Sequence, residues 1–420
     1  MKRRLLPILM TLVLVCALPI WAAFVTSPDV TNPLLTTADA TEPLKLEEVS
    51  TADDLRAKIT AGNSVKLTNN IDIDAVLHVT STLTLDLNGH VLKMTGDGSV
   101  LKVSGRATLT IQDSSAEGTG TITGGNAVDG GGVYIDNNAT LKMTGGCITG
   151  CHASYGGGIF SYENLYMSGT AKIEKCTSNG GSDDAIWNAE GVIYADGGTV
   201  DGTVNNQGTI TRSNGTNANA ATVFNKTVYM RGSKYTKRGI EAGTYNGTVE
   251  NTGSIIGGTF YGTVRNQKNS MGLNITGSVT GGTFYGPIVN EVGPGQVTGG
   301  TFAVRFDTGD GTKPEPTLVP WNGKVPRPTS DPEKSGHTFV GWYLGDALYD
   351  FNTPVNAPLT LTARWEEVPS SGGNYYYHPT TDTKADDAKG SPKTADPGVA
   401  LYGVLSLLSL TGLTCTTKKR

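Results

Sequence analysis

Short apolar blocks closed by glycines return along this chain at near-constant spacing, and that recurrence limits the possible folds more than any other feature. Gly130-Gly131-Gly132-Val133 comes back as Gly156-Gly157-Gly158-Ile159 after 26 residues, and Leu141-Lys142-Met143-Thr144-Gly145 as Leu165-Tyr166-Met167-Ser168-Gly169 after 24. A looser copy follows at Val192-Ile193-Tyr194-Ala195-Asp196, and Cys147-Ile148 through Cys151 is matched by Lys172-Ile173 through Cys176. Hairpins would need two-residue turns at regular alternation. Equivalent positions here return only after a full unit, as in a chain that winds once per unit around an axis. Each turn then hydrogen-bonds to the one below at about 4.8 Å, and like residues stack into ladders.

The second half repeats on a shorter theme. Gly243-Thr244-Tyr245-Asn246-Gly247-Thr248-Val249-Glu250-Asn251 is echoed by Gly258-Thr259-Phe260-Tyr261-Gly262-Thr263-Val264-Arg265-Asn266. It recurs as Gly282-Thr283-Phe284-Tyr285-Gly286-Pro287-Ile288-Val289-Asn290 and closes at Gly300-Thr301-Phe302. Alternate Val, Ile and Phe should face a narrow interior, with Thr and Asn outward or at corners. Composition agrees: 56 of 420 residues are Gly, 37% are hydrophobic and 17% charged, which disfavours a helical protein, a disordered acidic chain and a doubly wound α/β enzyme. The expected class is all-β, a parallel β-helix over 50–302 of about ten coils and on the order of 50 Å long. Residues 52–59 read as the one helix, opened by Ser50 or Thr51, closed near Gly62, and placed to cap the open first coil.

The Gly-Gly-Gly-Val and Gly-Gly-Thr-Phe units, with strands such as Leu83-Thr84-Leu85-Asp86-Leu87, resemble the right-handed parallel β-helix, pectate-lyase-like surface proteins of gut Firmicutes. That architecture hosts lyases, hydrolases and adhesins, so the resemblance implies a fold and leaves activity open. After Phe302 the character changes. His337-Thr338-Phe339-Val340-Gly341-Trp342-Tyr343 and Leu359-Thr360-Leu361-Thr362-Ala363-Arg364-Trp365 look like a Listeria-Bacteroides repeat, a small β-grasp-like, internalin B-type module, here over 303–367. Trp342 and Trp365 are read as its core, because so small a module needs large side chains.

The ends carry targeting signals. Met1-Lys2-Arg3-Arg4 and the apolar stretch 5–23 read as a signal peptide, followed by a linker over 24–49. Residues 368–390 read as a disordered wall-spanning tether. Ser391-Pro392-Lys393-Thr394-Ala395, the uncharged stretch 399–417 and Lys418-Lys419-Arg420 resemble the sorting signal of sortase-anchored Gram-positive surface proteins, with Ser391 and Ala395 departing from the usual Leu-Pro-x-Thr-Gly. The resemblance implies transient membrane insertion through 399–417, cleavage after Thr394 and transfer to peptidoglycan. Losing residues 1–23 and 395–420 removes six cations and Asp396, leaving 27 Lys and Arg against 37 Asp and Glu, a net charge of −10. That balance argues against nucleic acid, teichoic acid or polygalacturonate as the main partner.

No complete catalytic constellation stands out, and neither a cofactor nor a metal is expected. Asp183-Asp184 resembles the paired aspartates of β-helical polygalacturonases, but it replaces the Gly156-Gly157 corner and lacks partner motifs. Asp72 with Asp74, or Asp86 with Asp113, could meet on adjacent coils, yet no motif sets a cation beside them. His78, His90, His152, His337 and His378 are scattered, and Cys147, Cys151 and Cys176 lack zinc spacing, with Cys151 and Cys176 read as an inward thiol ladder. The candidate ligand-facing residues are Tyr245, Tyr261 and Tyr285. Three functions remain open: an adhesin binding a glycan or a host or neighbour protein, a carbohydrate-active enzyme, and a spacer without a ligand.

Overall fold

The computed structural model describes residues 45–368 except 180, 214–220, 232–238, 268–276, 292–295 and 313. Three parallel sheets run through the repeats, and the chain visits the first, second and third in strict rotation. The first sheet has 11 strands; setting aside the leading Glu47–Val49, each of the other ten opens one coil, from Val65–Leu67 to Ser278–Val279. Repeats in the sequence are rungs in the structure. Leu141 lies against Leu165 and Met143 against Met167, Val133 against Ile159, and Ile148 against Ile173. A parallel crossover of this kind is expected to be right-handed.

Alternation decides what faces inward. Leu109, Leu141, Leu165 and Ile193 form one ladder with no exposed surface, and each such side chain contributes about 1.5–3 kcal/mol on burial. In the later coils Phe224, Tyr245, Phe260 and Phe284 stack face to face, centroids 5.0, 4.8 and 4.7 Å apart, which is the spacing of the strands themselves. One class of residue departs from expectation. Asn188, Asn206, Asn251 and Asn266 end third-sheet strands and are fully buried rather than outward. Their amides bond along the stack, the Asn188 N–H to Asn206 Oδ1 at 2.6 Å and the Asn251 N–H to Asn266 Oδ1 at 2.8 Å, which pairs donors that burial would otherwise penalise, while Asn188 Oδ1 has no partner among the described residues.

The helix spans Ala52–Ala61, with Thr51 accepting the Asp54 N–H at its N-terminus and Gly62 closing it at φ 82°. Leu55 and Ile59 are buried, and with them the helix covers the apolar end of the first coil. At the other end the coils and the small module share a strand. Thr301–Asp307 pairs in parallel with Thr283–Phe284 and continues as partner of Thr317–Pro320 and Leu359–Glu367, so the second sheet passes unbroken into the module. The expected boundary at 302/303 therefore falls inside one strand.

One expectation is corrected. No helix among the described residues is long and apolar enough to cross a membrane, the helix found having 10 residues, so membrane insertion and the transmembrane reading are withdrawn. The 399–417 stretch, like the signal peptide and Ser391-Pro392-Lys393-Thr394-Ala395, lies outside the described residues.

Candidate functional site

The third sheet carries a row of aromatic residues on consecutive rungs. Its strands Val133–Ile135, Ile159–Ser161 and Ile186–Asn188 point Val133, Ile159 and Ile186 into the core, so alternation turns Tyr134, Phe160 and Trp187 outward on successive rungs. Lys102 and then His78 precede them in register, and Asn205 and Tyr229 follow.

A second layer walls this row. Two coils insert an extra strand before the third sheet, Asn126–Asp129 and His152–Tyr155, paired in parallel. Each then turns back through a glycine triplet. Gly130 and Gly156 stand at φ 61° and 62°, and a Cβ on Gly131 would collide with the His152 carbonyl, so only glycine permits so tight a return. In the next coil Asp183-Asp184-Ala185 takes the triplet's place. Asp183 is exposed, whereas Asp184 is 4% exposed and accepts the Gly156 N–H at 3.0 Å.

Ring contacts along the row are mixed: Tyr134 stacks on Phe160 at 5.6 Å with planes 6° apart, and the remaining contacts are edge-on. Tyr155 meets Trp187 at 66°, Phe160 meets Tyr162 at 69° and Tyr134 meets Tyr162 at 75°. Tyr155 is 46% exposed, Tyr134, Tyr162 and Trp187 are half-buried, and Phe160 is buried. Lys102 Nζ sits 4.8 Å over the Tyr134 ring. At that end a groove of about 680 Å³ opens between His78, Lys102 and Tyr134 on one side and Asn126, Val128 and Asp129 on the other.

Electrostatics follow from partial burial. Desolvation, then the charge of Asp136, the Tyr162 hydroxyl and the charge of Asp129, push the Tyr134 hydroxyl up to about 12, so it remains a hydrogen-bond donor at neutral pH. Desolvation also raises Asp129. Asp184 is raised by burial, against the opposing pull of the Gly156 N–H and the Asn205 side chain. The result is an amphipathic strip: aromatic faces in a line, with carboxyl, amide, hydroxyl and ammonium groups at its margins. Sugars are recognised by such surfaces, their C–H faces on rings and their hydroxyls on polar margins.

The tyrosines expected to face a ligand separate into two sets. Tyr245 is fully buried, its hydroxyl donating to Ala242 O at 2.7 Å, because it shares the Phe260 rung and not the Tyr261 rung. A shift of one residue flips a side chain to the other face of a strand. Tyr261 is 52% exposed and stacks on Tyr285 at 4.6 Å, planes within 14°. The third-sheet row was missed, although the repeat itself marks it: an aromatic residue follows Val133, Ile159 and Ile186 each time.

Other candidates serve the fold. Asp86 is 1% exposed and receives the Asn88 and Ser114 N–H groups, and Asp113 receives those of Gly89, Ser115 and Gly120. Asp74 pairs with Arg56 of the helix at 3.1 Å, a contact the sequence did not suggest. Among the described residues no group of three or more His, Cys, Asp or Glu is placed to hold a metal ion. Cys151 and Cys176 are free and buried, Cys147 free and half-buried.

Residues 302–364 match the family model of the Listeria-Bacteroides repeat domain. No curated protein matches the chain, and no solved structure matches it. The matched repeat and the parallel coils together are consistent with a β-helical, secreted, surface-associated protein.

Proposed function

We propose that this protein is a surface-displayed adhesin whose third-sheet aromatic strip binds a glycan, with the chain held at the cell wall through Thr394. One observation carries the binding assignment: Tyr134, Tyr155, Tyr162 and Trp187 form a partly exposed aromatic cluster around the buried Phe160, beside a groove of about 680 Å³. Wall attachment rests on the resemblance of Ser391-Pro392-Lys393-Thr394-Ala395 to a sorting motif.

A glycan array tests the assignment. Binding is expected, with affinity lowered at least tenfold by Trp187→Ala or Tyr155→Ala and unchanged by Tyr261→Ala. Binding unaffected by the first two, or lost only with the third, overturns it. Mass spectrometry of wall digests tests attachment: peptidoglycan fragments joined to Thr394 are expected, and an intact Arg420 refutes it.

Catalysis is a second reading, favoured by one feature. Asp184, a buried carboxyl whose pKa burial raises, lies at the corner preceding Trp187, beside the aromatic strip. Release of reducing or unsaturated sugars from a polysaccharide panel, abolished by Asp184→Asn, would establish it over binding alone.

A further inference from the structure

The groove at the end of the third-sheet strip is lined by charges of opposite sign that do not pair with each other. Lys102 and His78 stand on neighbouring third-sheet rungs along one side. Asp129 lines the other, with Asp97, whose carboxylate accepts Asn126 Nδ2 at 3.2 Å. Lys102 and Asp129 are half-buried, and neither has an ion-pair partner among the described residues. Tyr134 is near both: Lys102 Nζ lies 4.8 Å over its ring, and after burial and Asp136 the Asp129 charge is among those felt at its hydroxyl. Burial raises Asp129, and no cation offsets it. Each charge has lost part of its hydration and gained no counter-charge.

One wall of the groove is also a strand edge. The Asn126 N–H donates to Gly98 O at 3.0 Å, and the Gly98 N–H to Asn126 O at 2.7 Å. Main-chain groups two residues apart on a strand point the same way, so the Val128 N–H and C=O face that edge, past the end of the bridge. His152–Tyr155 takes the opposite edge, and Val128 is 69% exposed. Ser99 Oγ already donates to Asp129 O at 3.2 Å. Ligands of one charge fit poorly here: an anion at Lys102 would face Asp97 and Asp129, and a cation at Asp129 would face Lys102. A neutral sugar would leave both charges as they were. A short peptide brings an ammonium, a carboxylate and an extended main chain between them.

We propose that this groove binds a short peptide with free ends, its carboxylate on Lys102, its ammonium on Asp129 and its main chain beside Val128. The site goes beyond the glycan assigned to the aromatic strip and does not rest on that assignment.

The test is a calorimetric titration of the full chain at pH 7 with di-, tri- and tetra-alanine. At least one length should bind saturably, and its N-acetylated and C-amidated forms should each bind at least tenfold more weakly. Lys102→Met should remove the penalty of amidation and keep that of acetylation, and Asp129→Asn should do the reverse. Circular dichroism reports whether each variant folds; if one does not, the capped peptides still test both ends on the wild-type chain. No saturable binding at any length, or capped forms that bind as tightly as the free peptide, overturns the proposal. So does displacement of the peptide by glucose oligomers, which would give the groove to the glycan site. A chain that binds glycans and none of these peptides keeps the strip and rejects the groove, and the converse rejects the strip alone.

Discussion

The carboxylate of Asp113 accepts the backbone N–H of Gly89 from the preceding coil at 2.8 Å, and its other oxygen takes the Gly120 N–H at 2.6 Å. One side chain thus ties a turn of one coil to a loop of the next, and its ionised form is the one those donors prefer. Desolvation pushes its pKa up, but the backbone and Ser115 donors outweigh it, and the net shift is downward. Asp184 shifts the other way, because burial dominates there.

The two aspartates therefore have opposite consequences for stability against pH. Asp113, depressed in the folded state, contributes stability that is full above the ordinary carboxylate value and is lost as pH falls through its folded pKa. Asp184, raised, contributes stability present below the ordinary value and lost as pH rises through its folded pKa. In urea melts between pH 2.5 and 7, Asp113→Asn should cost most at neutral pH and least in acid. The stability of Asp184→Asn relative to wild type should improve as pH rises. Parallel pH profiles for the two variants would contradict this assignment.

Glycines at coil corners should differ sharply in tolerance. A Cβ on Gly262 would overlap the Gly247 carbonyl, which belongs to the coil below, whereas one on Gly118 meets nothing within 4 Å and has only its φ of 61° against it. Gly262→Ala should cost about 3 kcal/mol, since one coil must lift from its neighbour. Gly118→Ala should cost about 1–2 kcal/mol, the penalty of a left-handed alanine. Denaturant titrations of both variants measure the difference, and equal costs would mean that coil contact is not what selects glycine.

Inside the later coils, the ring ladder should resist truncation more than loss of its hydroxyl. Phe260→Ala opens a cavity between Tyr245 and Phe284 and should cost about 3–5 kcal/mol. Tyr245→Phe loses only the bond to Ala242 O and should cost about 1 kcal/mol. Chemical denaturation orders the two. A larger loss from Tyr245→Phe would place the strength of this region in the hydrogen bond rather than in the rings.

The thiols should be silent until the protein unfolds. Cys151 and Cys176 are 1% exposed, and each sulfur lies near backbone carbonyls in the core. Burial, then the Glu174 charge, pushes the half-buried Cys147 thiol up to about 11, so little thiolate exists at pH 8. Alkylation at pH 8 should be slow for Cys147 and undetectable for the other two, and all three should react in denaturant. Rapid labelling of Cys151 in the native state would show that the coils around it open.

Much of the fold was legible because stacking turns sequence spacing into spatial contact. Thr244, Thr259, Thr283 and Thr301 recur as text and stand as consecutive rungs, and the helix predicted over 52–59 lies within Ala52–Ala61. The buried Asn ladder was not legible, because an amide at a corner looks like a solvated turn until its neighbour amide is placed 2.6 Å away. The third-sheet aromatic strip was half legible. Its residues follow the repeat, and the extra strands Asn126–Asp129 and His152–Tyr155 that wall it keep the 26-residue offset of the glycine triplets, but their side chains share no apolar pattern that would mark them as strands. Tyr245 was misplaced by grouping tyrosines by type, when the repeat aligns it with Phe260.

The strand Thr301–Asp307 belongs to the last coil at its beginning and lies parallel to Leu359–Glu367, the strand from which the chain leaves the module after Val368. Tension between the coils and the departing chain would pull one strand back from its start and the other forward from its end. Their hydrogen bonds then resist sliding together, in shear, instead of parting one by one like a zipper. For a molecule gripped at one end and tugged at the other, that makes the junction a mechanical clamp.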